Sequence, residues 1–444
     1  MRILPRLLSG RLAGLLAFPL VVLGDAAPPD AENLRTSVVA KNGMPRNIVT
    51  PGAQWNFGPG SLWTHRGWQY AAYWDEQCQV SVARRKLPVG EWSTLSLPDY
   101  QRTKNLNRGK GGAKSQGFGD GHEKVSMGIS PDGVIHLSFD HHLSTLRYRA
   151  TRTGVANAPE KHPWTPTLFG PVQDHLGGEP ITSVTYPSFT TDGAHFTLYL
   201  RLNGGSGSAD SHYFQYADGR WQDASPTSGK LIDKHWSGGN RTVNAYLHGP
   251  VSQGGRLHLT WCWRDTPDSR TNHDLCYAFS DDHGSTWKNN EGQTIGVIGR
   301  KFITADSPGV TAVKIPPGTS YLNGGSMTVD ATGRVHVLKK GPNRKPTYFT
   351  RDPKSGTWRH QDTTRLGKLV AGRNDELFIV AEEGLWKTSA NHFGQLDPVF
   401  TDMERYFSDS KMGLDSSRLA HDGWISVIGQ RGRTITVIDY KVSH

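Results

Sequence analysis

The segments Ser126-MGISPDGVIHL and Ser326-MTVDATGRVHV stand 200 residues apart and agree in pattern throughout: an apolar strand, a turn with Asp and Gly, then an alternating strand with a histidine three residues past the glycine. A glycine turn between two period-2 runs is an antiparallel hairpin. Working outward, the same unit occurs seven times, at Gly67-WQYAAYW, Gly133-VIHLSFD, Gly193-AHFTLYLR, Gly255-RLHLTWCWR, Gly333-RVHVLKK, Asn374-DELFIV and Gly423-WISVIGQ. One supersecondary unit repeated along a chain of 444 residues predicts an all-β, seven-bladed β-propeller. The sixth copy is the weakest, so rings of six or eight blades also fit the pattern.

Composition agrees. Fifty-one Gly, 26 Pro and 14 Trp favour short strands and tight turns over long helices. Residues 1–30 carry Arg2, Arg6 and Arg11 ahead of the apolar run Leu12 to Leu23, with small residues at Gly24, Ala26 and Ala27. This is the layout of a cleavable export signal, and the run is short for a membrane span. The expectation is a secreted or periplasmic protein in which residues 31–444 form one catalytic propeller, a monomer with no membrane contact after cleavage. Three cysteines, Cys78, Cys262 and Cys276, exclude a disulfide scaffold. The formal charge of +10 suits an anionic partner, and the lack of a concentrated Lys/Arg run makes nucleic acid the poorest choice.

The near-repeat separates two kinds of histidine. His136, His258 and His336 recur at one position of their hairpins, which reads as scaffold. His122 and His142 face Leu322 and Pro342 at the offset of 200, so they belong to one blade only. His122 lies just before the first strand of its hairpin and His142 just after the second, hence both leave on the face away from the turn. The next hairpin places Tyr186 and Arg201 likewise, and the fourth places Asn244 and Tyr246 at its start and Arg264 at its end. Three consecutive blades thereby direct polar groups to one rim.

This set suits proton abstraction beside a carboxylate, as in β-elimination at a uronic acid. A guanidinium neutralises the carboxylate and stabilises the charge that develops there. Arg201 is expected in that role, with Arg264 as a second anion contact and Tyr246 and Asn244 as substrate-binding residues. His122, His142 and Tyr186 supply base and acid, with their division open. Glucuronate, with H5 and O4 on one side of the ring, would need one residue for both steps; iduronate would need two. The alternatives are a hydrolase, for which Asp75, Glu76, Asp120, Asp140 and Asp265 are the nearby carboxylates, and a non-catalytic glycan-binding propeller. No cofactor is expected for catalysis. His273, Cys276 and His283 are read as ligands of a structural zinc or calcium ion, with Cys262 as a fourth ligand or a disulfide partner of Cys276. Ser280-DDHGSTW has the form of an Asp-box, a turn motif without chemistry.

Asp120-GH, Phe139-DHHLSTLRYR, Thr185-YPSF, Tyr199-LR with Gly204-GSGSAD, and Trp261-CWRDTPD with Asn272-HDLCYAFSDD together resemble the seven-bladed BNR-repeat polysaccharide lyases, the ulvan lyases and rhamnose–glucuronate lyases. The resemblance implies a lyase acting on glucuronate or iduronate next to rhamnose, with an acidic polysaccharide as partner. It places His122, His142, Tyr186 and Arg201 at the family's active-site positions. Cys262 and the Gly/Lys-rich loop Lys104 to Ser115 depart from the pattern.

Overall fold

The computed structural model describes residues 33–44, 57–102, 104–105, 117–118, 122–236, 241–407 and 412–442. The expected leader, Asp120 and most of the Lys104–Ser115 loop lie outside them. Seven antiparallel sheets follow one another along the chain as the blades of a propeller. The second strand of each blade is one of the seven repeated segments: Trp68–Trp74, Ile135–Phe139, His195–Leu202, Arg256–Arg264, Val335–Lys340, Glu376–Ala381 and Trp424–Arg431. In the weak sixth copy Asn374 and Asp375 both have positive φ, 49° and 72°, the conformation of a tight hairpin turn with its favoured residues. The seventh differs: a short helix, Arg418–Asp422, ended by Gly423 at φ 80°, joins its first two strands.

Strands buried on both faces explain the near-continuous apolar runs. In the first blade Tyr70, Ala72 and Trp74 pack towards blade two, while Ala71 and Tyr73 pack towards blade seven. The core is accordingly seven apolar clusters, one between each pair of neighbouring blades. The ring closes with the N-terminal strand Leu34–Ala40, which pairs antiparallel with Thr434–Lys441 as the outer strand of blade seven. Polar groups tighten this seam. Asp439 accepts from Arg85 and Arg418 at 2.5 Å each, and Asp415 accepts from Thr64 and Gln69.

The three repeated histidines are scaffold. Each imidazole Nδ1 meets a tyrosine hydroxyl on the next strand of its own blade: His136 to Tyr148 at 2.7 Å, His258 to Tyr277 at 2.9 Å and His336 to Tyr348 at 2.6 Å. Burial holds His136 neutral, with its pKa lowered to about 3, and brings His258 to about 4. The Asp-box is also structural. Ser280 Oγ accepts the Gly284 N–H, Asp282 accepts the Thr286 N–H, and buried Trp287 donates its indole N–H to the Gly284 carbonyl.

Candidate active site

Blade two delivers His122 and His142 by different routes. His122 precedes the strand Val125–Ile129. After Phe139 the chain turns at Asp140, which has φ 63°, and crosses to the next sheet, where His142–Ser144 pairs with Val184 and Thr185. His142 is thus carried by blade three rather than by the hairpin from which it emerges. Its neighbour His141 points the other way, buried on Ser138 at 3.0 Å with its pKa lowered to about 3 by burial.

Tyr186 is aimed by a β-bulge. The register between the strands Val184–Asp192 and His195–Leu202 shifts between Thr185 and Ser188, and Tyr186 takes φ 57°. A bulge re-aims one side chain at the cost of local strain, and such features gather at functional sites. Arg201, opposite Thr185, lies under the tyrosine.

These four side chains converge. The rings of His122 and His142 stack at 4.2 Å, His122 and Tyr186 are 5.6 Å apart, and the guanidinium carbon of Arg201 sits 4.6 Å from the Tyr186 ring and 6.0 Å from that of Tyr246. Arg201 is 3 % exposed, and its Nε and Nη1 have no hydrogen-bond partner among the described residues. A buried cation with orphaned donors is costly for a folded chain unless something else completes it.

Arg264 is differently engaged. It donates through Nε to Asn272 at 2.7 Å, through Nη1 to the Tyr246 hydroxyl at 3.1 Å and through Nη2 to Asn323 at 2.9 Å. Its present work is to hold Tyr246, whose hydroxyl also bonds Ser206 at 2.8 Å. Asn244, expected at the rim as a substrate contact, is fully buried beneath it and donates to the Ala245 carbonyl.

The structure also brings up Lys339, which sequence reasoning passed over. It is buried on blade five, its ammonium 3.9 Å from the Tyr321 ring, and burial lowers its pKa to about 8. The signal was available: at the offset of 200 Lys339 stands where blade two has Phe139, a charge in place of a core aromatic.

Among the described residues, the carboxylates that a hydrolase would use are otherwise committed; Asp120 lies outside them. Asp75 is buried in its own turn, accepting the Gln77 and Gln79 N–H groups and Ser81. Glu76 pairs with Arg433, Asp140 accepts from Tyr100, and Asp265 pairs with His273 and Arg241.

The expected metal ligands do not come together. His273 and Cys276 lie on the strand Asn272–Ser280, but His283 is beyond its far end, bonded to Asp192 at 2.7 Å and stacked on His195. An extended strand advances about 3.3 Å per residue, so the run from His273 to the strand's end at Ser280 already spans about 23 Å, too far for His273 and His283 to share one ion. His273 is instead clamped by Asp265 and Asp274, each at 3.1 Å. Burial opposes its charge, but the bonds to both carboxylates outweigh it and push the pKa up to about 9. Cys262 packs towards blade five and Cys276 towards blade three, and both are free thiols. Among the described residues no group of three or more His, Cys, Asp or Glu is placed to hold a metal ion.

Comparison with solved structures finds the same architecture in a polysaccharide lyase, an ulvan lyase. One structure, bound to -[GlcA(1-4)Rha3S]-, superposes with a TM-score of 0.60 at 14 % identity, covering 91 % of this chain and 95 % of that one. A second structure, titled for the ulvan lyase with no bound saccharide named, gives 0.61 at 15 % identity with the same coverage. At this identity the likeness is one of fold. No curated protein matches the sequence. The model of the BNR repeat-containing family matches residues 68–366, the span from the second strand of blade one through blade five, and the chain belongs to that family.

Proposed function

We propose that the protein is a polysaccharide lyase that cleaves the 4-linked bond of a uronate by β-elimination. The observation that carries this reading is Arg201, a buried guanidinium with orphaned donors set against two histidines and a tyrosine. A substrate carboxylate would satisfy those donors and make the adjacent C5–H acidic enough to lose. The base takes the C5 proton, the electron pair forms the C4–C5 double bond, and the C4–O4 bond breaks as an acid protonates O4. Tyr186, lying between the guanidinium and His122, is within reach of a sugar held by Arg201. His122 and His142 are the further proton carriers, and the chemistry draws on side chains alone.

Within this reading Tyr246, held by Arg264 and Ser206, lines the neighbouring sugar's place. The oligosaccharide seen in the ulvan lyase structure supports glucuronate joined to rhamnose as the linkage attacked. The basic, apolar segment of residues 1–30 supports export to the periplasm or medium, where such polymers occur. We take the working form to be a monomer. The test is incubation with ulvan, gum arabic and other uronate glycans, following the ultraviolet absorbance of a 4,5-unsaturated uronate. Binding without any such product would leave a glycan-binding propeller and end the lyase reading.

A further inference from the structure

A cavity of about 760 Å³ lies between the outer parts of blades two and three, within the size range of ligand sites. It opens on the face that carries the Gly133 and Gly193 turns, opposite the rim where His142 and Arg201 emerge. Its lining includes Val134, next to the Gly133 turn, and Trp221, the middle residue of the strand Arg220–Gln222. We propose that this cavity is a second binding site, for a short acidic oligosaccharide, separate from the reacting centre.

Two cationic side chains at the cavity lack partners among the described residues. Trp221 is 9 % exposed, and its indole N–H lies beside the Tyr148 hydroxyl, which also meets His136. At the mouth, Arg152 and Arg220 are exposed, and neither guanidinium has an ion pair or hydrogen bond to the described residues. The floor is aromatic, with Tyr216 and Trp221 5.2 Å apart.

Aromatic rings suit the C–H face of a sugar, and two unpaired guanidiniums suit carboxylate or sulfate. Asp223, also in the lining, can accept from sugar hydroxyls. A neutral glycan would leave both arginines without a counter-charge. One polymer chain held on this face raises the local concentration of its other segments at the rim, an advantage that short substrates do not share. The site stands on the cavity and its donors, independently of the elimination chemistry.

The test is affinity electrophoresis of the full chain through gels containing ulvan, gum arabic or neutral dextran, on a His142→Ala background so that the polymers stay intact. The site predicts retardation by one or both acidic polymers and none by dextran, with Arg152→Ala/Arg220→Ala weakening the affinity about tenfold. Gln222→Glu, which places a like charge in the lining, should weaken it similarly without touching an arginine. With His142 restored, the double variant should raise KM on polymer and leave kcat on short uronate oligosaccharides unchanged. Equal retardation of variant and parent, equal retardation by dextran, or no retardation by either acidic polymer overturns the proposal. The elimination reading is judged separately, by the unsaturated product.

Discussion

Replacing Arg201 by methionine should stabilise the fold while abolishing turnover, an opposition of signs that separates a substrate-directed cation from a structural one. The donors Nε and Nη1 are buried without partners, and each such group costs about 1–3 kcal/mol. The cation–π contact with Tyr186 at 4.6 Å returns about 1–2 kcal/mol. The balance leaves the guanidinium a net burden, so Arg201→Met should raise the unfolding free energy by up to about 5 kcal/mol. Losing the groups that neutralise the carboxylate should lower kcat by about 10²–10³-fold or more. Denaturant midpoints at unchanged slope report the first quantity, and the rate of ultraviolet absorbance gain on a uronate glycan reports the second. A destabilised Arg201→Met, or one that keeps kcat within a few-fold of the parent, refutes the reasoning.

His142→Ala should reduce kcat about 10²–10⁴-fold with an unchanged melting curve, whereas His336→Ala should cost about 2–4 kcal/mol of stability. The latter strands the Tyr348 hydroxyl and the Asp330 Oδ2 that the imidazole now joins; paired melting and turnover data on both variants check the contrast. His273, raised to about 9 by Asp265 and Asp274, contributes stability that is complete below its unfolded pKa near 6.5 and is lost as pH rises through about 9. Denaturation of parent and His273→Gln across that window should show a gap of roughly 1–2 kcal/mol at low pH that closes at high pH. Gly284→Ala should cost about 2–4 kcal/mol, because Gly284 has φ 92° and a Cβ there would stand 2.4 Å from the Tyr213 ring; its denaturant midpoint tests this.

What could be read along the chain was what neighbouring residues determine. Turn chemistry and period-2 alternation are local, so all seven repeated strands were legible, and so was the difference between His336, bonded within its blade, and His142. The closing strand Leu34–Ala40 was not, since its partner Thr434–Lys441 lies at the other end of the chain and no local signal links them. Convergence of His122, His142, Tyr186 and Arg201 followed from hairpin direction alone. The crossing of His142 into the next sheet and the bulge at Tyr186 are tertiary events, although Pro187 within a strand marks such an irregularity. The metal reading failed because proximity in sequence was taken for proximity in space along an extended strand. The position of Asn244 shows the same limit from the other side: residue order gives the end of a strand, not the depth of its side chain.

The most direct test of the central claim is mass analysis of the products released from a glucuronate–rhamnose polymer by the full chain. Elimination predicts a new non-reducing end lighter by one water than the saturated uronate and absorbing in the ultraviolet, with its formation lost in Arg201→Met. Saturated ends carrying oxygen from labelled water would instead show hydrolysis and contradict the account.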